Sequence, residues 1–336
     1  MAVRRQVRLR LALPWLAEAV SAEAGEGAEM TRAPAAEWLL ARGRPLSGNP
    51  GDWRGWLLDG ADCPAGLLQR FPAGACVRAL RHGSRPEGTW ACARPVHLLT
   101  AIDHLQIAPA AVALDEDESA TLGRDLNGHF ADRGFVFHAV GRDRDWALEC
   151  PAVDCTSVEP AGLSGRNLRD LMPAGRDGAA IRSLTNEIQM LLHDHPVNVG
   201  RAAHGLPVVN ALWLWGFGRA GDATNFEAPA IYTDDAWLAG LWKIHGAEAK
   251  TIAELAAELA SIDRDALLGW SGLPASAPGE PIVEAERRCL APARAALQSG
   301  TVDDLGMLLG ERAFAVGRGL RLRFWRRGKS LEEWLA

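Results

Sequence analysis

The chain has 336 residues, 48% of them hydrophobic and 23% charged, with 13 Trp and a formal net charge of −6. That apolar content excludes a disordered or fibrous chain and suffices for one large or two modest domains. The mild acidity, with a sequence pI near 5.9, supplies no whole-molecule field toward nucleic acid, and no apolar run reaches the ~18–20 residues that span a bilayer.

At the N-terminus Val7, Leu9 and Leu11 alternate with Arg8 and Arg10. This is the period-2 pattern of a half-buried strand, not the unbroken apolar stretch of a secretory signal, so a cytoplasmic location is expected. Residues 14–50 are rich in Ala, Gly and Pro, with a short helix over 35–41. Further short helices between 52 and 82 are broken by Gly60, Pro64, Pro72 and Gly83. Strand patterns return at 89–99 and 104–107. Asp115-Glu116-Asp117-Glu118 then places acid in the first turn of a helix, where the helix dipole favours it. Leu122, Leu126 and Phe130 form its apolar stripe and Gly134 closes it. Residues 135–140 and 146–150 read as a hairpin across Gly141-Arg142-Asp143-Arg144.

After a loop-rich stretch over 151–178, a long helix is expected from 179 to 193. Pro196 stops it, because the residue before a proline is pushed out of the α region. A short helix follows over 198–204. Residues 208–215 are continuously apolar, read as a strand buried on both faces and hence parallel. A strand at 228–231 and helices at 234–243, 251–262 and 281–297 come next. The chain then alternates over 305–309, 312–316 and 320–324, a β-meander with one basic face. The fold class is therefore α/β: a mixed, mostly parallel sheet with flanking helices, its main domain formed by 1–109 and 181–336, and a smaller α/β lobe inserted at 110–180. Cys63, Cys76, Cys92, Cys150, Cys155 and Cys289 include no Cys-x-x-Cys pair and read as reduced thiols.

The densest polar stretch runs Asn186-Glu187-Ile188-Gln189-Met190-Leu191-Leu192-His193-Asp194-His195-Pro196-Val197-Asn198, with Arg201 just beyond. Helical spacing puts Asn186, Gln189 and His193 on one face. Three readings stay open: capping of backbone at a helix–turn–helix junction, ligand contact, or a metal site built on His-x-His. Gly216-Phe217-Gly218 follows the apolar strand, where glycine can let backbone approach a ligand. Trp213 and Trp215 read as core. Seven basic residues between Arg312 and Lys329, interleaved with Phe324 and Trp325, read as a wet sheet face.

His195-Pro196-Val197-Asn198, Arg201, Gly205, Pro207 and Asn210, then Leu212-Trp213-Leu214-Trp215-Gly216 and Gly218, resemble the middle of archaeal-type cofactor-independent phosphoglycerate mutases. Those enzymes belong to the alkaline-phosphatase superfamily. The similarity is collinear from about residue 114 to 243. Over the whole chain, with Asn186–Met190 and Phe324-Trp325-Arg326-Arg327 included, the sequence resembles the RpfE-type regulatory protein family more closely.

The mutase resemblance implies two metals clamping an in-line phosphoryl displacement and a Ser or Thr nucleophile, with an Asp-Gly-x-x-Asp turn after the first strand. Here that strand ends Leu11-Ala12-Leu13-Pro14-Trp15, no acid follows until Glu18, and His245 is the last histidine. The two-metal set cannot be assembled in the family's order. The expectation is a degenerate mutase-like regulatory protein that binds a small anionic ligand or a protein partner without turnover, uses no cofactor or metal, and engages neither nucleic acid nor membrane. Its ligand-binding residues are expected to be Asn186, Gln189, His193, His195, Asn198, Arg201, Asn210, Gly216 and Gly218, with Arg201 pairing an anion. The alternative is an active phosphoryl-transfer enzyme holding Mn, Zn or Co through Glu187, His193, Asp194 and His195, joined by Asp103 and His104.

Overall fold

The computed structural model describes residues 5–25, 31–48, 51–100, 105–108, 112–139, 144–161, 163, 166–272, 279–317, 319 and 329–335. In chain order its strands are Arg8–Leu13 (β1), Arg44–Pro45 (β2), Thr89–Val96 (β3), Leu98–Thr100 (β4), Leu105–Ile107 (β5), Val136–His138 (β6), Trp146–Cys150 (β7), Ala211–Gly218 (β8), Ala230–Thr233 (β9), Ala266–Gly269 (β10), Asp304–Leu309 (β11) and Arg312–Gly317 (β12). The chain divides into two compact units, Met1–Ala65 with Thr224–Ala336, and Gly66–Ala223. The stretch 110–180, anticipated as an inserted lobe, lies within the second unit, which also takes in 66–109 and 181–223. No described helix is long and apolar enough to cross a membrane.

The first unit holds a six-stranded sheet in the order β2-β12-β11-β1-β10-β9. The four strands β11, β1, β10 and β9 run parallel, and β12 and β2 add an antiparallel edge. The alternation at the N-terminus is realised: Leu9, Leu11 and Leu13 are buried against one core. The opposite face is not open water. The Trp53–Asp59 helix packs there, and the Arg10 guanidinium stacks 3.8 Å from the Trp56 ring centroid, so that burial pushes its pKa down to about 10. The expected 281–297 helix is present but contains a π turn over Glu286–Leu290. That turn lies just before Pro292, whose ring nitrogen cannot donate a helical hydrogen bond. β11 and β12 form a hairpin around Gly310; the third strand expected at 320–324 lies outside the described residues, as do the turn residues 141–143.

The second unit is built on a four-stranded antiparallel sheet, β6-β7-β3-β8, with β4 and β5 forming a separate two-stranded ladder. Here the sequence reading of 208–215 is corrected: β8 is an antiparallel edge strand paired with β3. Its first five residues are all buried because the Ala73–His82 helix and the Gly178–His193 helix both pack against it. An unbroken apolar run reports burial on both faces, and an antiparallel edge strand between two helices meets that condition as well as a parallel one.

β8 also carries a bulge opposite Trp90 and Cys92. Gly216, at φ 65°, lies in it, and a Cβ at Gly216 would meet Ala73 Cβ at 2.7 Å, while one at Gly218 would meet Pro72 Cγ at 2.4 Å. The two glycines admit the N-terminus of the Ala73–His82 helix to the sheet. Their close approach is to protein, not to a ligand.

Candidate functional site

The Gly178–His193 helix ends at Asp194, and His195 becomes the N-cap of the next helix, Pro196–Ala203. Pro196 thus stops one helix and opens the other at its first position, where its missing N–H costs nothing. The His195 ring is 5% exposed. Its Nδ1 accepts the Val197 N–H at 3.2 Å and its Nε2 lies 3.0 Å from Asp125 Oδ2, which fixes the neutral tautomer as Nε2–H donating to Asp125.

The neighbouring motif residues are committed in the same way. Asn198 donates to Leu192 O and Val209 O, both at 2.7 Å, and accepts from Val209 N–H at 2.8 Å. It ties the end of one helix to the approach to β8. Arg201 is buried; its Nε donates to Pro207 O and its Nη1 to Glu118 Oε2, each at 2.7 Å. Glu118 is the third residue of a capping box with Asp115 at the start of the Glu116–Phe130 helix. Asn210 accepts from Leu98 N–H at 2.6 Å and donates to Leu98 O at 2.8 Å, continuing the strand pairing with a side chain. Of the open readings, backbone capping at the junction describes His195 and Asn198, while Arg201 pairs with Glu118 and Asn210 with the Leu98 backbone.

Three predicted residues remain at the surface. His193 is 82% exposed on its side chain. Asn186 and Gln189 line a small, partly open cavity of about 50 Å³ with Leu98, Leu105, Met172 and residues of β8. Helical spacing correctly put these three on one side of the helix; only two of them share the cavity. Of the residues anticipated as a rebuilt metal set, His193 Nε2 and Asp194 Oδ1 lie 3.9 Å apart on exposed side chains, Glu187 pairs with Arg133 at 2.6 Å, and Asp103 and His104 lie outside the described residues. Among the described residues no three His, Cys, Asp or Glu side chains come together as a metal-holding group.

Two buried charge clusters escaped the sequence reading. In the second unit Arg94 and Asp145 pair through both ends, and Trp215 Nε1 donates to Asp145 Oδ1 at 2.8 Å. In the first unit Arg54 and Asp235 form a two-point pair, Nε–Oδ1 3.1 Å and Nη2–Oδ2 2.6 Å. Arg54 also lies 4.5 Å from the Trp53 ring centroid and 5.1 Å from that of Trp237. This pair sits beyond the carboxyl ends of β9 and β10. Thr233, the last residue of β9, donates its hydroxyl to Gly269 O, and Asp235 caps the Ala236–Ile244 helix through Leu238 N–H. In open α/β sheets that edge is where ligands and catalytic groups collect. Asp234 beside it accepts from Ser271 N–H at 2.6 Å, and burial raises its carboxyl above the usual range. The partners are 51 and 181 residues apart, so no local spacing announces them.

A third group is titratable. Among the described residues His138 Nε2 is buried without a hydrogen-bond partner, 4.0 Å from Glu149 Oε2, and its ring faces Trp90 and His82. Burial lowers its pKa, Arg78, His82 and Arg81 lower it further, and Glu149 opposes them. Such a base takes up a proton more readily unfolded than folded. Its contribution to stability is therefore full above the ordinary imidazole value of ~6.5 and falls as pH drops below it. Urea midpoints are expected to decline between about pH 7 and pH 5, and to decline less in His138→Gln.

No family model matches the chain. A segment of 74 residues is 33% identical to the 2,3-bisphosphoglycerate-independent phosphoglycerate mutase of Methanothrix thermoacetophila, covering 22% of this chain and 19% of that protein. That segment is weakly homologous to the cofactor-independent phosphoglycerate mutases. The matched stretch is about a fifth of the length of that mutase. A solved structure of a protein from Pyrococcus horikoshii aligns over 98% of this chain and 92% of its own at 14% identity, with a TM-score of 0.52, so the α/β fold is shared across nearly the whole length. A solved cofactor-independent phosphoglycerate mutase from Thermoplasma acidophilum covers 93% of this chain at 17% identity, with a TM-score of 0.38, below the level at which a common fold follows. The homology to the mutases therefore attaches to a segment, and the likeness over the whole chain is one of fold.

Proposed function

We propose that this protein is a mutase-like regulator of the RpfE type, acting by binding a partner through the solvent face of the Gly178–His193 helix rather than by metal-dependent phosphoryl transfer. The Arg54–Asp235 pair carries this reading. A two-metal centre needs several anionic or imidazole ligands converging on dications. Beyond the carboxyl ends of β9 and β10 this chain places a guanidinium, flanked by two indoles and paired with the carboxylate that also caps a helix. A cation built into that edge repels the metals the chemistry requires. The anion expected at Arg201 loses its support as well, because Glu118 already occupies that guanidinium.

The test is direct. Purified protein is incubated with 2- or 3-phosphoglycerate and Mn, Zn or Co in turn, and interconversion and phosphate release are followed. No product above the protein-free rate is expected, and none of the three metals is expected to raise the melting temperature. Turnover dependent on any of them would establish the enzyme reading and remove this one.

A further inference from the structure

We infer that His138, His82 and Arg81 form a proton-operated clasp that holds the turn end of the β6–β7 hairpin to the Ala73–His82 helix and releases it in mild acid. The inference is independent of the binding reading above. On the sheet face that this helix covers, Trp90, Glu149 and Val136 stand opposite one another on β3, β7 and β6. His138 follows two residues along and shares that face. Arg81 supplies the clasp: its Nη1 donates to His138 O at 3.0 Å and its Nη2 to Asp145 O at 2.6 Å. One guanidinium thereby joins the last residue of β6 to the residue just before β7.

The surroundings of the His138 ring suit it neutral and not charged. Its centroid lies 5.3 Å from that of Trp90 and 6.2 Å from that of His82. The charged and titratable groups facing it are Arg78, Arg81 and His82 on the helix and Glu149 on β7. Arg78 stacks 5.2 Å from the Trp90 ring centroid, and the nearby Asp145 carboxylate is already held by Arg94 and Trp215. An imidazolium would meet two guanidiniums on the helix side. On the other side the Glu149 carboxylate, half-exposed, stands 4.0 Å from Nε2, about 1 Å beyond a charge-assisted hydrogen bond. Once charged, the ring gains a partner and water by swinging to Glu149, which takes it off the Trp90 face and draws the end of β6 from under Arg81. His82 reinforces the effect: burial, Arg78 and Arg81 lower its pKa as well, so the two imidazoles charge against each other. In the opened hairpin His138 returns to the ordinary imidazole value of ~6.5, so acid favours the open form.

Amide hydrogen exchange of the ¹⁵N-labelled full chain tests the clasp at about pH 7.5 and about pH 5.5, either side of the ordinary imidazole value, after correction for the intrinsic pH dependence of exchange. The reporters are His138 and Ala147, which face each other across the hairpin; Ala93 and Leu214, paired in the β3–β8 ladder, serve as reference. Protection of the reporters is expected to fall about fivefold on acidification, as when the open form binds the proton roughly ten times more tightly than the closed one. Sub-denaturing urea should not deepen that fall, because a local opening exposes little surface. In His138→Gln the Ala147 amide should stay equally protected at both pH values, and His82→Gln should move the fall to higher pH by removing a competing cation. Unchanged protection in the wild type, a fall that survives in His138→Gln, or a urea dependence equal to that of Ala93 and Leu214 would overturn the clasp. The last of these would mean that acid loosens the whole unit rather than one end of a hairpin.

Discussion

Arg201→Ala is expected to destabilise the protein by about 3 kcal/mol, the lower part of the range for breaking one side of a buried ion pair. Arg201 is 4% exposed, and its substitution strips partners from two groups at once. Pro207 O loses the Nε donor, and Glu118 loses the Nη1 donor while keeping the Asp115 N–H of the capping box at 3.0 Å. Glu118 retains some access to water, with its side chain 20% exposed, which is why the lower figure is expected. Lysine in the same place keeps the charge but cannot reach both acceptors with a planar fork, so Arg201→Lys should fall between the two. Urea unfolding of the three proteins decides the matter. If Arg201→Ala unfolded at the wild-type midpoint, the guanidinium would not be holding the Glu116–Phe130 helix, and a ligand role for it would regain its place.

Much of the fold was legible because local chemistry encodes it. The acidic run Asp115–Glu118 announced a helix start, and the capping box is there with both reciprocal bonds. The alternation around Leu9 and Leu11 announced a strand, and Pro196 a helix boundary. What local chemistry does not encode is the partner. Arg10 alternates like a solvent-facing residue, yet Trp56 covers it, because long Arg side chains pack their stems and stack their heads. The apolar run ending in Trp215 gave burial correctly and direction wrongly, since both faces of an edge strand can be covered by helices.

The candidate site divides along the same line. Polar residues that hold helix ends and polar residues that hold ligands are the same residue types, so the stretch from Asn186 to Asn210 cannot be sorted from spacing alone. Position on the helix separates some of them: Asn186 and Gln189 precede the helix end by more than a turn, where backbone groups already have partners, and these two amides are the ones left facing a cavity. His195 and Asn198 lie at the junction, where unpaired N–H and C=O groups accumulate, and the backbone takes them. Unpaired backbone at a helix junction has to find partners nearby, so the amino-acid order around Pro196 already favours capping for this second pair.

Arg54→Ala is expected to cost about 3–5 kcal/mol, the cost of leaving Asp235 as an uncompensated charge in the interior. Both side chains are nearly inaccessible, 5% and 7% exposed, so water cannot replace the lost guanidinium as it partly can at Glu118. The double substitution Arg54→Met with Asp235→Asn separates the charge from the cap. Asn still accepts the Leu238 N–H that Asp235 accepts at 2.9 Å, while Met fills the space between Trp53 and Trp237 without a charge. The double variant should recover most of the loss, because an apolar replacement of a buried pair is often close to neutral, and the double-mutant cycle should show strong coupling. Additive losses would mean that Arg54 and Asp235 act independently, and the commitment of this sheet edge to an internal ion pair would fall with them. Recovery in the double variant would show instead that Arg54 and Asp235 act at this edge as a matched pair whose charges can be removed together.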